Sequence, residues 1–294
     1  MASTHEQHYL EHRGAMMSAA YRILGTRTEA EDAVQEVWLR WVDVDLDEVR
    51  TPQAYLVTMA TRDALNRARS GQRRREQYVG PWLPEPWAMR EVDGAPARPP
   101  DPHDVVEQAE SVSMAMLVVL ASLTPIERAV FVLREVFDLP YADIAAAVDR
   151  TPSTVRQIAH RARGHVHARR PQTSVDTDEH AAATTRFVAA VQGGSIDALL
   201  STLAPNVVLT SDGGGQVSAA LRPIHGRTRV AAFLLGIAGS ASGEVTTHRM
   251  DVNGQDAIAI HIDHSFAALL VLAVEQGVVA EVFILRNPDK LDRL

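Results

Sequence analysis

The stretch YADIAAAVDRTPSTVRQIAHRAR, residues 141 to 163, decides the fold of the middle of this chain. It reads as two helical patterns separated by DRT. The first is short and alanine-rich, with Ile144, Ala145 and Val148 as its apolar stripe. The second opens on Thr151 as N-cap and Pro152 in the first turn, where a missing N–H costs nothing. Val155, Ile158 and Ala162 face back to a core. Ser153, Thr154, Arg156, Gln157 and Arg161 are left outside. Two helices joined by a three- to four-residue turn are the architecture whose second helix enters a DNA major groove, with its N-terminal residues at the base edges. Asp149 occupies the turn position where glycine is commonest, and aspartate tolerates left-handed backbone better than most residues. An ordinary helical hairpin with a solvated arginine face is the competing reading. Residues 150 to 170 hold six arginines, three histidines and no carboxylate, which favours the DNA footprint.

A second basic segment lies upstream. Thr51-Pro52 repeats the N-cap and first-turn pattern, and the helix it opens can run through YLVTMATRDALNRARS to Gly71. Residues 62 to 76 hold six arginines against Asp63 and Glu76. Arg62, Asn66 and Arg69 share one face at i, i+4, i+7, Arg67 sits beside them, and Arg73 can extend the row. Asparagine and arginine together suit base-edge and phosphate contacts. A basic helix end favoured by the helix dipole would look the same. Before it comes EAEDAVQEVWLRWV, residues 29 to 42, with Val34, Val37, Trp38 and Trp41 at helical spacing and Thr28 with Glu31 as a capping box. Residues 29 to 48 carry eight carboxylates against Arg40 alone. Asp32, Gln35, Glu36 and Arg40 point outward. The helix is either a partner-docking element or an ordinary core helix, and both descriptions can hold because they concern different sides.

Between the two basic segments, residues 78 to 104 contain seven prolines and two glycines and show no periodicity. They read as a partly extended linker over residues 77 to 104. Within it stands WLPEPW, residues 82 to 87, with two indoles that are costly to leave in water. The sequence predicts a strap whose indoles are covered at least in part by the C-terminal domain. Thr124-Pro125 then opens a helix over IERAVFVLREVF. After residue 175 the pattern changes. Helices at HAAATTRFVAAVQ, SIDALLSTLA and GRTRVAAFLLGIA mix with strands at NVVLTS, VSAALRPI, EVTTHRMDV, DAIAIHID, FAALLVLAVE and VVAEVFILR, which predicts an α+β domain. The expected divisions are 1–76, 77–104, 105–172 and 176–294.

Composition bounds the rest. The chain has 294 residues, a formal charge of −8 and no cysteine. Disulfides and thiolate metal sites are excluded, and a reducing cytoplasm is the expected location. Neither a secretory leader nor an apolar run of membrane-spanning length is visible, so no membrane partner is expected. The net charge alone argues against a nucleic-acid binder. Its division into two basic segments and one acidic helix argues for separate partners on separate faces.

In this order the pieces resemble the extracytoplasmic-function (ECF) group of bacterial sigma factors. DAVQEVWLRW looks like the segment that binds core RNA polymerase. TPQAYLVTMATRDALNRAR is similar to the segment that opens and reads the −10 element. LTPIERAVFVLREVFDLPYADIAAAVDRTPSTVRQIAHRAR is similar to region four, which reads the −35 element. The resemblance covers roughly residues 5 to 170. WLPEP in the linker, DGGG at 212 to 215 and NPDKL at 287 to 291 resemble three marks of the SigJ-like subgroup, which carries a fused SnoaL-like C-terminal domain. There the glycine run is usually followed by lysine, whereas this chain has Gln216. The resemblance implies two all-α sigma domains and an NTF2-like cone, with RNA polymerase core and promoter DNA as partners. It implies core-polymerase contacts at Asp32, Gln35, Glu36, Trp38 and Arg40, −10 contacts at Arg62, Asn66, Arg67 and Arg69, and −35 contacts at Ser153, Thr154, Arg156, Gln157 and Arg161. It further implies a built-in regulator in place of a separate anti-sigma factor. That regulator would work through Trp82, Leu83, Pro84, Glu85, Pro86, Asp212, Gly213, Gly214, Gly215, Asn287, Pro288, Asp289 and Lys290.

Such cones hold an apolar pocket, so a small ligand of the C-terminal domain stays open, and some members are enzymes. Asp212, His225, His248, His261, Asp263 and His264 are the titratable candidates. In HIDH, read as strand, His261 and Asp263 point one way and Ile262 and His264 the other. Fold analogy alone does not supply activity, and no catalytic group, cofactor or metal is expected. Glycines at 213 to 215 permit positive φ and close approach of another segment, or simply make a flexible hairpin loop. Asp212 and the tail are expected at the surface. Two other classes remain in view. A regulator that binds DNA alone would shift a duplex without polymerase. A cyclase or isomerase with a DNA-binding front end would lose turnover on Asp212→Asn or Asp263→Asn.

Overall fold

The computed structural model describes residues 3–91, 112–169, 177–292 and 294, with side chains for all of these except 72–76, 88–91 and 177. The linker residues 92 to 104 and the start of the third expected division lie outside them. The described residues gather into two compact units, one of 3–76, 112 and 116–169, the other of 77–91, 113–115 and 177–294. Among the described residues no helix is long and apolar enough to cross a membrane.

The first unit is all helix. Helices α1 (Thr4–Glu11), α2 (Arg13–Leu24), α3 (Arg27–Trp41) and α4 (Pro52–Glu76) form its first half. Helix α2 is buried from Ala15 to Leu24 and is the axis of the core, with Val37 and Trp41 of α3 and Leu56 of α4 closed around it. Gly25 ends α2 at φ 72°, and its N–H returns to Tyr21 O. The α3 cap falls at Thr26, two residues before the Thr28 read from sequence. Thr26 Oγ1 donates to Glu29 at 3.0 Å, and Glu31 is taken instead by Arg27 at 2.8 Å. Helix α4 continues through Gly71 to Glu76, because the glutamine, arginines and glutamate that follow are good helix formers.

The second half holds α5 (Met114–Ala121) from residue 116 onward, α6 (Pro125–Phe131), a π-helical turn (Val132–Val136), α7 (Tyr141–Val148) and α8 (Pro152–Arg169). Thr124 and Glu127 make a full capping box at the start of α6. Asp149 adopts the left-handed conformation, φ 55° and ψ 57°, and turns the chain from α7 into α8. Arg128 is 3% exposed and donates to Ile23 O, Ala121 O and Leu123 O, joining α2 to the second half through backbone carbonyls.

The second unit is built on a seven-stranded sheet of order β1-β4-β5-β6-β7-β2-β3. Its strands are β1 (Ala88–Glu91), β2 (Leu203–Asp212), β3 (Ile224–His225), β4 (Val245–Val252), β5 (Gln255–Ile262), β6 (Ser265–Glu275) and β7 (Val278–Leu285). Only β2 and β7 run parallel among the paired strands. Helices α9 (Thr177–Gln192), α10 (Ile196–Thr202) and α11 (Arg227–Ser240) pack on one face. There Phe187, Leu199, Val230 and Leu234 meet Leu209, Ile258, Leu270, Leu272, Val282 and Ile284. A short helix, α12 (Pro288–Leu291), follows β7. Two sequence expectations need correction. VSAALRPI is not a strand: only Ile224 is paired, Leu221 is 68% exposed, and Pro223 has no N–H to donate to a ladder. HIDH is not all strand either. Asp263 and His264 form the β5–β6 turn at φ 48° and 63°, so the strand alternation stops at Ile262.

Candidate functional site

Three groups of residues carry the functional argument. The first is the outer face of α8. Thr151 Oγ1 accepts from Thr154 N at 3.3 Å, which caps the helix. Val155, Ile158, Ala159, Ala162 and Val166 are buried beneath it. Ser153, Arg156, Gln157 and Arg161 are exposed and Thr154 is half-buried. The arginines therefore stand on one solvent face of a firmly packed helix. Arg163, on the same helix, is tied to Glu135 at 2.9 Å. The arrangement suits groove entry, with a rigid helix presenting short polar groups first and cations behind.

The second group lies where α3 meets α4. Asp32, Gln35, Glu36 and Arg40 are exposed on α3, while Trp38 is half-buried and meets Tyr9 edge-on at 5.0 Å. Leu39, 62% exposed, adds an apolar element to this face that the sequence reading passed over, because it falls outside the helical stripe. The acidic and basic helices also interlock. Arg67 pairs with Asp32 at 3.4 Å, and Arg40 pairs with Asp63. Burial pushes the Asp63 carboxyl above its usual range, with the Arg40 charge opposing. Of the expected contacts, Asp32 and Arg67 are thus partly engaged with each other, and Arg40 with Asp63. Asn66 and Arg69 remain exposed, and Asn66 lines an open polar cleft with Glu29, Asp63, Arg67 and Ser70. Arg62 behaves differently from its neighbours: it donates to Ala146 O at 2.7 Å and Ala147 O at 3.3 Å. These are C-terminal carbonyls of α7, the first helix of the helix-turn-helix, and the guanidinium caps them.

The third group joins the linker to the sheet of its own unit. Asp212 at the end of β2 is fully buried. Its carboxylate accepts from the Tyr78 hydroxyl at 2.6 Å, Leu83 N at 2.9 Å, Gly214 N at 3.0 Å and Lys290 Nζ at 2.6 Å. Lys290 also donates to Leu83 O at 2.6 Å and lies 4.5 Å above the Trp82 ring and 5.0 Å from that of Tyr78. Asn287 donates to the Tyr78 hydroxyl at 2.8 Å, and its carbonyl caps α12 through Asp289 N. Burial, followed by the bond to Asp212, raises the Tyr78 phenol above its usual range. Asp212 and the tail were expected at the surface. Instead Asn287 and Lys290 are 3% and 7% exposed, because Asp212 O draws the tail back by accepting from Arg286 N and Asn287 N.

The glycines allow that closeness. A Cβ on Gly213 would stand 2.4 Å from Val217 O, and one on Gly214 2.5 Å from Asn287, with Gly214 at φ 62°. Gln216 reaches Asp289 at 2.7 Å without a charge of its own. Leu83, Pro84, Glu85 and Pro86 are buried, while Trp82 and Trp87 are half-buried. Beyond Trp87, whose N–H donates to Asn253 Oδ1, the linker joins the sheet as β1, antiparallel to β4. That strand has no local sequence signal, since AMRE shows no alternation.

Of the other titratable candidates, His248 and His261 meet, with ring centroids 5.3 Å apart. His225 and His264 are exposed, Asp263 accepts from Glu244 N in its turn, and His261 packs between His248 and Phe266.

Comparison with known proteins assigns three parts of the chain to families. Sigma-70 region 2 matches residues 8–74, Sigma-70 region 4 matches 113–166, and the SnoaL-like domain matches 184–284. The chain is 35% identical to the ECF RNA polymerase sigma factor SigJ of Mycobacterium tuberculosis, covering 95% of this chain and 90% of that one. It is 31% identical to a probable ECF sigma factor, SigI, of the same species, over 96% and 93% of the two chains. The crystal structure of M. tuberculosis SigJ superposes with a TM-score of 0.75 over 97% of this chain and 98% of that one, at 31% identity. Sigma factors are transcription initiation factors that bind core RNA polymerase and promoter DNA. This chain belongs to the ECF sigma factor family, in the form that carries a C-terminal SnoaL-like domain.

Proposed function

We propose that the exposed face of α8, with Ser153, Thr154, Arg156, Gln157 and Arg161, reads the −35 duplex, and that Asn66, Arg67 and Arg69 with Arg62 engage the −10 element. Asp32, Gln35, Glu36, Trp38 and Arg40 dock on core polymerase. The work is done in the cytoplasm, where polymerase is, within divisions at 1–76, 77–104, 105–172 and 176–294. The observation that carries the −35 assignment is a buried apolar row under a solvent-facing polar and cationic one on a capped helix.

The same reading assigns the SnoaL-like domain as a regulator in cis, standing in for a separate anti-sigma factor. Its support is the Asp212–Lys290 pair, which holds both the backbone N–H and C=O of Leu83 and so binds the linker from two sides. The linker is the tether between the two DNA-reading halves, and docking part of it shortens the length free to span −35 and −10 sites. Arg62 adds to this, since a guanidinium capping α7 is withheld from a phosphate or base. The domain acts by binding and without chemistry of its own. An inner face filled by Phe187, Leu209, Leu234 and Leu270 supports that assignment.

The test is run-off transcription with purified core polymerase on a promoter library, comparing the full chain, Arg156→Ala and Arg161→Ala. Each lost contact should cost about 1–3 kcal/mol of promoter affinity. Failure of the full chain and of tail-trimmed forms to initiate anywhere would overturn the assignment.

A further inference from the structure

We propose that His8, Glu11 and His12 form a binding site for a divalent transition metal ion, with zinc the best fit. The three lie in HYLEH, residues 8 to 12, so the two imidazoles stand one helical turn apart, the spacing at which two histidines chelate one ion from a single helix face. Their ligand atoms and that of Glu11 all lie within 4.8 Å of one another. The rings are nearly parallel, 3° between planes, with centroids 6.4 Å apart. Helix α1 ends at Glu11 and α2 begins at Arg13, yet His12 N still donates to His8 O at 3.1 Å, so the break does not spoil the spacing. Among the described residues this is the one cluster of three such side chains.

A second observation points to a ligand. His8 Nδ1 is buried and has no hydrogen-bond partner among the described residues. Its nearest carboxylate oxygen, Glu11 Oε2, is 3.9 Å away, too far for a hydrogen bond. Two ligands of one tetrahedral zinc ion, each about 2.0–2.1 Å from the metal, stand roughly 3.3 Å apart. A small rotation of the exposed Glu11 side chain closes the difference. Two imidazoles and one carboxylate suit zinc, cobalt or nickel, with water completing the shell. Calcium and magnesium want oxygen alone, and softer ions want the thiolates this chain lacks. The site replaces the expectation that the chain holds no metal. It sits beside the polymerase-docking helix, because Tyr9, between the two histidines, donates to Val34 O at 3.1 Å and packs against Trp38. A bound ion would clamp the end of α1 to the start of α2 behind that surface.

The experiment is calorimetric titration of the full-length, untagged chain with zinc chloride, with cobalt(II) as a spectroscopic probe. The expected result is one ion per chain and visible ligand-field bands for cobalt in a low-coordinate nitrogen and oxygen site. His8→Ala and His12→Ala should each weaken zinc at least tenfold, and Glu11→Gln less. Melting of the metal-free variants at the wild-type temperature shows that they fold. Absence of saturable binding, or binding unchanged in the His8→Ala/His12→Ala double variant, overturns the proposal.

Discussion

Replacing Asp212 by asparagine should open the contact between linker and tail. Asp212 and Lys290 form an ion pair at 2.6 Å, with side chains 0% and 9% exposed. Removing one charge from such a pair leaves the other uncompensated, at a cost of about 3–5 kcal/mol. Asparagine keeps one acceptor but turns an NH2 group toward donors on at least one side, since Tyr78, Leu83 N, Gly214 N and Lys290 all donate there. The bonds that survive on the acceptor side place the loss near the lower figure, about 3 kcal/mol. That is about a hundredfold in the equilibrium between closed and open contact, at 1.36 kcal/mol per tenfold. The chain supplies its own reporter, because Lys290 is its one lysine among 29 basic side chains. An amine-reactive reagent followed by peptide mass spectrometry reads Lys290 directly, with the terminal α-amine as internal reference. In the wild type Lys290 should react far more slowly than an exposed lysine in a peptide, and Asp212→Asn should speed it about a hundredfold. Tyr78→Phe, which removes hydrogen bonds to Asp212 and Asn287 but no charge, should speed it about tenfold. A wild-type Lys290 that reacts like a peptide lysine, or a rate indifferent to Asp212→Asn, would refute the buried pair as the fastening.

Three further outcomes are expected. Burial, aided by the nearby Glu275 charge, pushes Glu281 up to about 7 from 4.5. A carboxyl raised in the folded state contributes stability below pH 4.5 that is lost as pH rises to 7, so Glu281→Gln should stabilise the full chain at pH 8, by up to about 3 kcal/mol, and leave it unchanged at pH 4 in chemical denaturation. Gly214→Ala should cost on the order of 2 kcal/mol and free the tail to proteolysis, because its Cβ meets Asn287 at 2.5 Å and φ is 62°. Asp149→Gly should raise the melting temperature by relieving a left-handed residue, while Asp149→Val should lower it.

The legible parts were those with local periodicity or local capping. The helix-turn-helix, down to the left-handed Asp149 and the buried Val155, Ile158 and Ala162, follows from spacing of 3.6 and from turn chemistry. The four long strands β4 to β7 follow from β-branched runs between turn residues. What depended on partners distant in sequence was not legible. The burial of Lys290 rests on residues 78, 82, 83 and 212, and nothing in NPDKL announces it. Strand β1 exists because β4 offers an edge, with no alternation of its own to mark it. Arg62 looked like a DNA contact by type and position, and its bond to the end of α7 spans 84 residues. Two prolines, Pro84 and Pro86, do make WLPEPW extended, but only the fold shows that the extension feeds Leu83 to Asp212 and Lys290.

The pairing of acidic α3 with basic α4 bears on a net charge of −8 in a DNA-binding chain. Arg67 with Asp32 is a solvent-exposed pair, and such pairs contribute about 0–1 kcal/mol. A phosphate can therefore displace the carboxylate at little cost where the DNA is well placed. Where it is not, each arginine that must first leave a carboxylate, or in the case of Arg62 a helix end, reduces the gain from counterion release that drives non-specific binding. The basic faces are thus held in check by neighbours of the same chain. Core polymerase changes the balance in two ways. On the proposed assignment, docking on α3 competes for the side chains that restrain α4, and tethering raises the effective concentration of promoter near α4 and α8. The arrangement favours a chain that binds promoter poorly alone and well when polymerase holds it. Direct shift assays should therefore show little binding by the free chain at physiological salt, and strong binding, with a steep salt dependence, only for the polymerase complex.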